Sequence, residues 1–238
     1  MKFQYCKDYA EMGAIAAETI LGKLREKPDM LLCAATGNSP TATYRYLGQV
    51  YQKQKELFYH LKVIKLDEWG GISPDFEGSC EAYLQDKVIK PLQISGDRYI
   101  SMNGQVNSLE SECDRISTEL KQKGPIDLCI LGLGQNGHLG LNEPANELRP
   151  YCHITALSQA SLGHAMIQGL ETKPTVGLTL GMADILGSKK IILLVTGTNK
   201  EEVTKRLMER KISTDLPASL LWLHGDVTCF VDSGVVRK

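Results

Sequence analysis

One apolar segment followed by a glycine-rich turn constrains the fold of this chain more than any other feature. Leu128–Leu133 is short and almost wholly apolar, which is typical of a buried strand. Three glycines follow between positions 132 and 137, and glycine lets the backbone turn sharply and approach a ligand closely. His138 and Glu143 come just after this turn, and both can move protons. Ligands bind beyond the carboxyl ends of strands in open α/β sheets, so the segment predicts a functional site.

The same glycines match the G-x-G-x-x-G pattern of dinucleotide-binding sites, but their context differs from such a site. The dinucleotide fingerprint opens a helix and is followed by an acidic residue about 20 positions later. Here Gly140 and Pro144 interrupt the next segment, and the residue about 20 positions after Gly137 lies near Leu157, where there is no acid. We therefore expect no nicotinamide or flavin cofactor.

Strand-like and helix-like segments alternate along the 238 residues. Strands are predicted at 30–35, 61–66, 128–133, 191–195 and 228–231, and helices at 8–26, 40–56, 108–123 and 198–210. This order favours a single α/β domain over residues 1–238, with a doubly wound, mainly parallel, Rossmann-like sheet. The stretch around 144–175 is the least periodic, so a flexible lid over the active edge is predicted there.

Composition and charge argue against several classes of function. The formal net charge of −1 and the lack of any long run of lysine and arginine predict no nucleic-acid partner. No apolar stretch approaches the length of a membrane span, and the first residues are too polar for a signal peptide. Seven cysteines without a C-x-x-C pair indicate free thiols and a cytoplasmic protein. The sequence leaves a homo-oligomer open.

A second polar segment follows the strand predicted at 30–35. Thr36, Gly37, Asn38 and Ser39 precede a helix that is predicted to begin near Pro40. Free N–H groups at the N-terminus of a helix bind anions, and hydroxyl groups add further donors. The spacing is not that of a Walker A loop, whose lysine is missing. The alternative is an ordinary N-cap formed by Asn38 or Ser39.

Charged residues also follow two other predicted strands. Asp67 and Glu68 are adjacent, so at most one of them is predicted to face a catalytic site, and the alternative is a solvated acidic turn. Lys200 ends the segment Thr196–Lys200, where it would meet a phosphate as a point charge unless it is an ordinary surface lysine. Strand ends of one sheet converge on one crevice. Together these groups favour a sugar phosphate that undergoes proton transfer.

Taken together, these residues resemble the glucosamine-6-phosphate deaminase/isomerase family over most of the chain. The segments that carry the resemblance occur in the family's order and are Ala35–Tyr44, Leu66–Gly70, Gly134–Pro144, Gly177–Gly181 and Gly197–Lys200. The block Gly-His-x-x-x-Asn-Glu-Pro is the most specific of them. The related 6-phosphogluconolactonases share the fold and the Gly-His pair but lack Asn-Glu-Pro.

The resemblance implies a reaction and a set of residue roles. An amino-sugar 6-phosphate, either glucosamine or galactosamine, and water would become a ketose 6-phosphate and ammonia, with no metal and no nucleotide. Asp67 would be the base that moves a proton between C2 and C1 of the open-chain sugar. His138, supported by Glu143, would assist ring opening. Thr36–Ser39 and Lys200 would hold the phosphate.

Two positions depart from the family's pattern. Asn136 stands where the family usually has an aspartate, and an amide cannot supply the negative charge that favours a neighbouring imidazolium. Asn136 is predicted to serve the catalytic group through hydrogen bonds, unless it only satisfies the turn in a left-handed conformation. Where glucosamine deaminases have a phosphate-binding arginine, this chain has Ser161–Met166, and His164 is predicted to replace it. These features favour the galactosamine-6-phosphate isomerase members.

Three other functions remain open from the sequence. In a 6-phosphogluconolactonase-type hydrolase His138 would activate water or donate a proton, but Asn142–Pro144 argues against that assignment. A non-catalytic sugar-phosphate sensor could keep the fold, although Asp67, His138 and Glu143 are all present. A metal site at His138, Glu143 and His153 fits by residue type, but the spacing is unlike common ligand motifs.

Overall fold

A computed structural model describes residues 1–170 and 172–235, which contain ten strands and seven α-helices. The strands are β1 (Lys2–Cys6), β2 (Leu31–Ala34), β3 (Lys62–Lys65), β4 (Asp67–Trp69), β5 (Tyr99–Ile100), β6 (Leu128–Gly132), β7 (His153–Ala156), β8 (Val176–Thr179), β9 (Ile191–Val195) and β10 (Val227–Asp232). The α-helices are α1 (Tyr9–Glu26), α2 (Asn38–Tyr51), α3 (Cys80–Leu84), α4 (Leu109–Lys123), α5 (Gln159–Leu162), α6 (Met182–Leu186) and α7 (Glu201–Met208).

Seven of the strands form one parallel sheet in the order β1-β10-β9-β6-β2-β3-β5. From β2 the chain adds β3 and β5 on one side, and it then returns to place β6, β9 and β10 on the other. The order of strands therefore reverses between β2 and β6, which confirms the predicted doubly wound sheet. Ligands of such folds bind in the crevice beyond the carboxyl ends of the strands at this reversal.

The central strands are apolar along their whole length because both faces of the sheet are covered. Every residue of β2 and of β9 is buried. In β6 the side chains alternate: Leu128 and Ile130 belong to one core cluster, while Cys129 and Leu131 belong to the other. Period-two alternation between two buried faces produces a continuous hydrophobic run, which is the pattern that predicted these strands.

Helices α1 and α2 lie against each other on one side of the sheet. The Asp8 side chain accepts a 2.8 Å hydrogen bond from the Glu11 N–H and so caps the start of α1. Gly13 lets the two helices approach, because a Cβ atom added there would lie 2.5 Å from the Cβ of Ala42. This packing fixes α2, whose first turn faces the crevice between β2 and β6.

A second, antiparallel sheet with the order β4-β8-β7 was not predicted from the sequence. Its strands β7 and β4 are short, and β7 is only half-buried, so neither leaves a clear hydrophobic pattern. The stretch 144–175, which is the least periodic part of the sequence, contains β7 and α5. Glu171 of the same stretch lies outside the described residues. The role of the stretch around 144–175 as a flexible lid stays a prediction.

Over residues 1–170 and 172–235, none of the helices combines the length and the apolar character that a membrane crossing requires.

The contact between α1 and α2 predicts opposite effects for two glycines of the same helix. Gly13→Ala should lower the free energy of unfolding by about 1–3 kcal/mol, because the new methyl group overpacks the interface. Gly22 has no atom within 4 Å of an added Cβ, so Gly22→Ala should raise that free energy by about 0.5–1 kcal/mol. Chemical denaturation of both variants measures the difference, and equal effects would contradict the assigned packing.

Candidate active site

A cavity of about 400 Å³ opens at the carboxyl ends of the central strands. The turns that follow β2, β6 and β9 line it, together with the start of β4. The polar lining residues include Thr36, Gly37, Asn38, Ser39, Asp67, His138, His164 and Lys200. The structure thus brings together eight of the ten residues predicted for the site. Asn136 and Glu143 lie behind this wall.

The turn after β2 presents backbone donors to the cavity. Gly37 is the N-cap of the 14-residue helix α2, with φ of 93°, and no side chain caps the first turn. The alternative in which Asn38 or Ser39 is an ordinary N-cap is therefore wrong. The carbonyl of Gly37 accepts hydrogen bonds from Thr41 Oγ1 and Tyr83 Oη at 2.9 and 2.8 Å. These bonds hold the turn in place. The free N–H groups of the turn and the dipole of α2 favour the binding of an anion there.

The turn after β9 brings Lys200 to the same cavity. Gly197, with φ of 97°, precedes a short 3₁₀ segment, Thr198–Lys200, that leads into α7. Thr196 Oγ1 donates a 2.8 Å hydrogen bond to Asp232 Oδ2 and so ties this turn to β10. Burial lowers the pKa of Lys200 to about 8. An anionic ligand would stabilise the charged form of a partly desolvated ammonium group of this kind.

Asp67 and Glu68 are turned in different directions. Asp67 faces the cavity, and within the described residues its Oδ1 atom has no hydrogen-bond partner. Glu68 is directed away, where it accepts a hydrogen bond from Lys65 Nζ at 2.8 Å. The side chains are 8% and 2% exposed, so the alternative of a solvated acidic turn is wrong. Burial and the charge of Glu68 raise the pKa of Asp67 to about 7, against an opposing effect of Lys65.

The negative charge of Glu68, the neighbour of Asp67 in the chain, is balanced by a buried hydrogen-bond network. Sequence patterns did not predict this network. Lys65 Nζ donates to Glu68 and also to Glu81 Oε2 at 2.6 Å, and Tyr99 Oη donates to the same oxygen of Glu81 at 2.9 Å. Backbone N–H groups of Trp69, Cys80 and Glu81 complete the hydrogen bonding of Glu68. Lys65 lies in an apolar strand, and only the fold places both carboxylates beside it.

His138 lies on the cavity wall with Glu143 behind it. His138 Nδ1 is 3.4 Å from Glu143 Oε2, which is an ion-pair distance. Ser161 donates its hydroxyl to the other oxygen, Glu143 Oε1. Burial raises the pKa of Glu143, but His138, Ser161 and Asn136 outweigh it and hold that pKa at about 2. Glu143 is therefore ionised at neutral pH and can orient the imidazole.

Asn136 uses both ends of its amide within this group. Its Nδ2 donates a 2.9 Å hydrogen bond to Glu143 Oε2, and its Oδ1 accepts the backbone N–H of His138 at 3.2 Å. The left-handed position of the turn belongs to Gly137, with φ of 90°, and not to Asn136. The alternative that Asn136 only satisfies a left-handed turn is therefore wrong.

The segment 158–168 covers one side of the cavity. Ser161, His164 and Gln168 line it, and the His164 ring lies 5.9 Å from the ring of Trp69. His164 also faces the turn after β2, since a Cβ added to Gly37 would be 3.5 Å from its Nε2 atom. Burial, with the charges of His138 and Lys200, lowers the pKa of His164. His164 is therefore neutral near pH 7 before any anion binds.

The three residues considered for a metal site do not form one. The His153 ring pairs through Nδ1 with the carbonyl of Tyr151 at 2.8 Å. In the part of the chain that the structure describes, no group of three or more His, Cys, Asp or Glu side chains is arranged to hold a metal ion.

Comparison with known proteins places the chain in a family. A model of the family described as glucosamine-6-phosphate isomerases/6-phosphogluconolactonase matches residues 8–229. The chain belongs to this family. Its relatives include the Escherichia coli K12 protein named "Putative deaminase AgaI", 40% identical over 97% of this chain and 91% of that protein. Glucosamine-6-phosphate deaminase 1 of Bacillus subtilis 168 is 36% identical over 98% of this chain and 97% of that protein.

Solved structures agree with this assignment. A monomeric glucosamine-6-phosphate deaminase superposes with a TM-score of 0.94 at 35% identity, over 99% of this chain and 98% of that one. The 6-phosphogluconolactonase of Leishmania guyanensis has a TM-score of 0.78 at 18% identity, over 98% of this chain and 97% of that one, which shows a shared fold alone. The resemblance predicted from the sequence is confirmed, as is the expectation that the chain is an enzyme.

The burial of Lys200 predicts a gain in stability when its charge is removed. The pKa of Lys200 in the folded protein is about 8, which is below that of an exposed lysine. Below pH 8 the ionised side chain therefore lowers the free energy of unfolding. Lys200→Met should therefore raise the Tm of the ligand-free protein at pH 7, and this gain should fade as pH rises from 8 towards 10. Thermal unfolding at several pH values measures it. The exposed Lys205, exchanged for methionine in the same helical region, should give no such pH-dependent gain. A pH-independent effect of Lys200→Met would contradict the prediction.

Proposed function

We propose that this chain is an amino-sugar-6-phosphate deaminase/isomerase that converts glucosamine or galactosamine 6-phosphate and water to the ketose 6-phosphate and ammonia. Its membership of the family and the names of its relatives support this assignment. One structural observation carries it: a buried carboxylate with a raised pKa, Asp67, faces the same cavity as an anion-binding helix terminus and a histidine. In the proposed reaction the carboxylate moves the proton, the histidine assists ring opening and the helix terminus holds the phosphate.

The phosphate is the part of the substrate that the cavity can bind most strongly. In the proposed complex the N–H groups of Thr36–Ser39 and their hydroxyls surround the phosphate oxygens, and Lys200 adds a positive charge. His164 lies on the opposite side of the same turn and donates one ring N–H. Because the phosphate is held at one end of the cavity, the sugar carbons extend towards Asp67.

Ring opening is assigned to His138. The imidazole accepts the proton of the anomeric hydroxyl and returns one to the ring oxygen, so that the aldehyde form is released. Ionised Glu143 lies 3.4 Å from Nδ1 of the ring and stabilises the positive charge that forms in between. Asn136 keeps Glu143 in place through its amide.

Proton transfer is assigned to Asp67. Its carboxylate removes the proton from C2 of the open-chain sugar, whose amino group is protonated, while O1 takes a proton from that ammonium group and the enolamine forms. The carboxyl group then returns its proton to C1, which leaves an iminium group at C2. Water adds to this carbon and ammonia leaves, which gives the ketose. A pKa of about 7 suits this role, because the group must both accept and return a proton near neutral pH.

The proposal also includes a lid over the cavity and a location in the cell. The segment 158–168 is the functional part of the predicted lid, which the contact of Ser161 with Glu143 supports. A cytoplasmic location is supported by the seven cysteines, which are free thiols.

The proposed reaction is tested by the release of ammonia. The purified protein is assayed with glucosamine 6-phosphate, galactosamine 6-phosphate and 6-phosphogluconolactone in parallel. Ammonia from at least one amino sugar, together with the ketose phosphate in equal amount, is the expected result. Hydrolysis of the lactone without ammonia from either sugar would replace the proposal with the lactonase function. Binding of the sugar phosphates without turnover would indicate a sensor.

Loss of the Asp67 carboxylate should abolish most turnover. Asp67→Asn is expected to lower kcat by roughly 10²–10⁴ with little change in substrate affinity, since it removes a general base. In the wild type, protonation of Asp67 should make kcat/KM fall as pH drops below about 7. Steady-state kinetics between pH 5 and 9 measure both effects. The exposed Asp114, changed to asparagine, serves as the control, and near-normal turnover in Asp67→Asn would remove this residue as the base.

A carboxylate at position 136 should change the ionisation of the histidine group. Asn136→Asp would place a negative oxygen where an N–H now donates to Glu143, so the pKa of Glu143 should rise. The added charge also favours imidazolium at His138, so the histidine-linked limb of kcat/KM should move to higher pH. The exposed Asn107, changed to aspartate outside the cavity lining, adds the same charge as a control. A profile identical to the wild type would show that position 136 does not sense this proton.

A further inference from the structure

Three tyrosine hydroxyls donate to carbonyl groups of the turn after β2. They belong to three different helices, α1, α2 and α3, and the three side chains are not among those that line the cavity. The hydrogen bonds run from Tyr9 to Asn38, from Tyr44 to Ala35 and from Tyr83 to Gly37. The last two bonds each join oxygen atoms 2.8 Å apart. The turn is therefore held from outside the cavity.

Each of these carbonyls sets the direction of the N–H group that follows it. Residues 35–39 are joined by trans peptides, in which the C=O and N–H bonds of one plane point in opposite directions. Because the carbonyls point to tyrosines outside the cavity, the N–H groups of the same peptides point towards it. These N–H groups belong to Thr36, Asn38 and Ser39, which all line the cavity. They are donors that the proposed function assigns to the phosphate.

Gly37 is the position at which this turn can change most easily. Its φ of 93° and ψ of −172° are a conformation that residues with a side chain rarely adopt. Glycine also allows the peptide that follows it to reverse at little steric cost. The reversed peptide would direct the carbonyl of Gly37 at a bound phosphate and turn the Asn38 N–H away. Hydrogen bonds to this carbonyl therefore keep the turn in its anion-binding form.

Two hydroxyl groups share the carbonyl of Gly37. Tyr83 Oη and Thr41 Oγ1 lie 2.8 and 2.9 Å from its oxygen, and they lie 2.7 Å from each other. Each hydroxyl has one proton, so two protons serve three contacts. Thr41 belongs to α2 itself, one turn after Gly37, whereas Tyr83 belongs to α3. Only the bond from Tyr83 therefore ties this carbonyl to a separate element of the fold.

We propose that Tyr83 is a positioning residue for the phosphate of the substrate, an inference that rests on the proposed function. Its hydroxyl keeps the peptide between Gly37 and Asn38 in the direction that binds an anion. Tyr9 and Tyr44 do the same for the flanking peptides. Affinity is reduced in proportion to the fraction of a protein that is not in its binding form. The hydroxyls thus strengthen phosphate binding without contacting the phosphate.

Tyr83→Phe separates this role from a general effect on folding. Without the hydroxyl, part of the free protein has the peptide after Gly37 reversed, and binding must first restore it. We expect KM for the phosphorylated substrate to rise roughly two- to tenfold, the effect of one hydrogen bond. The kcat should keep its wild-type value, because bound phosphate itself holds the turn. The Kd of inorganic phosphate, measured by titration calorimetry, should rise by the same factor as KM.

A second variant and a control complete the experiment. Thr41→Val removes the other donor to the same carbonyl, keeps the ring of Tyr83 and should also weaken the binding of inorganic phosphate. Tyr46→Phe is the matched control, because Tyr46 lies on α2 and donates its hydroxyl to Glu18 Oε1 of α1 at 2.8 Å. The control removes a comparable hydrogen bond away from the turn. It should leave KM, kcat and the Kd of phosphate unchanged.

The proposal is wrong if folded Tyr83→Phe binds inorganic phosphate as the wild type does or, should that variant not fold, if Thr41→Val does. An equal loss of phosphate affinity in Tyr46→Phe would overturn it, as would a fall of kcat with KM unchanged in Tyr83→Phe. A wild type that does not bind inorganic phosphate would overturn it too. If neither amino sugar releases ammonia, the proposed function fails, while the phosphate titration still decides the role of Tyr83.

Discussion

The parallel pairing of β2 with β6 is the constraint on which the rest of this structure depends. Cys33 lies opposite Cys129 in that pairing, so the two strands end at the same edge of the sheet. The chain leaves them in opposite directions, and a crevice forms between the turns that follow. One turn supplies the N-terminus of α2, and the other supplies His138. Neither turn could form a site alone, because each presents only one side of a ligand.

The site contains two carboxylates, Asp67 on the cavity wall and Glu143 behind it, whose surroundings shift their pKa values in opposite directions. Asp67 is buried beside a like charge, and its pKa is about 7. Glu143 is buried among donors, and its pKa is about 2. The same functional group therefore holds and releases a proton at one position and carries a permanent charge at the other. Separation of two carboxyl groups by their environments is a common way to divide proton transfer from electrostatic support.

Sequence patterns could predict the parts of the fold that rest on long hydrophobic runs. The strands β2, β3, β6, β9 and β10 and the helices α1 and α4 lie within a few residues of their predicted bounds. The strands β1, β4, β5, β7 and β8 escaped prediction, since most of them are short and several lie at an edge or in the small sheet. Their formation depends on partners that are distant in the sequence.

Sequence patterns could predict the site residues that follow strand ends. They could not predict the residues that contact these side chains from outside the cavity. Asp67, His138 and Lys200 each follow a recognisable strand. Lys65 carried no signal, because a lysine within a short, largely buried strand acquires meaning only through its neighbours. The placement of Asn136 against Glu143 likewise depends on the fold of the turn.

The hydrogen bond from Ser161 to Glu143 has a consequence for the energetics of substrate entry. Ser161 belongs to the segment that covers the cavity, whereas Glu143 belongs to the group that orients His138. If that segment opened as the proposed lid, an ionised carboxylate would lose one of its donors and gain water. Opening of the proposed lid and orientation of the imidazole would then be thermodynamically linked, so a ligand that favours the closed segment would also favour the ordered histidine. In such a lid, the same equilibrium would govern access to the cavity and the hydrogen bonding of Glu143.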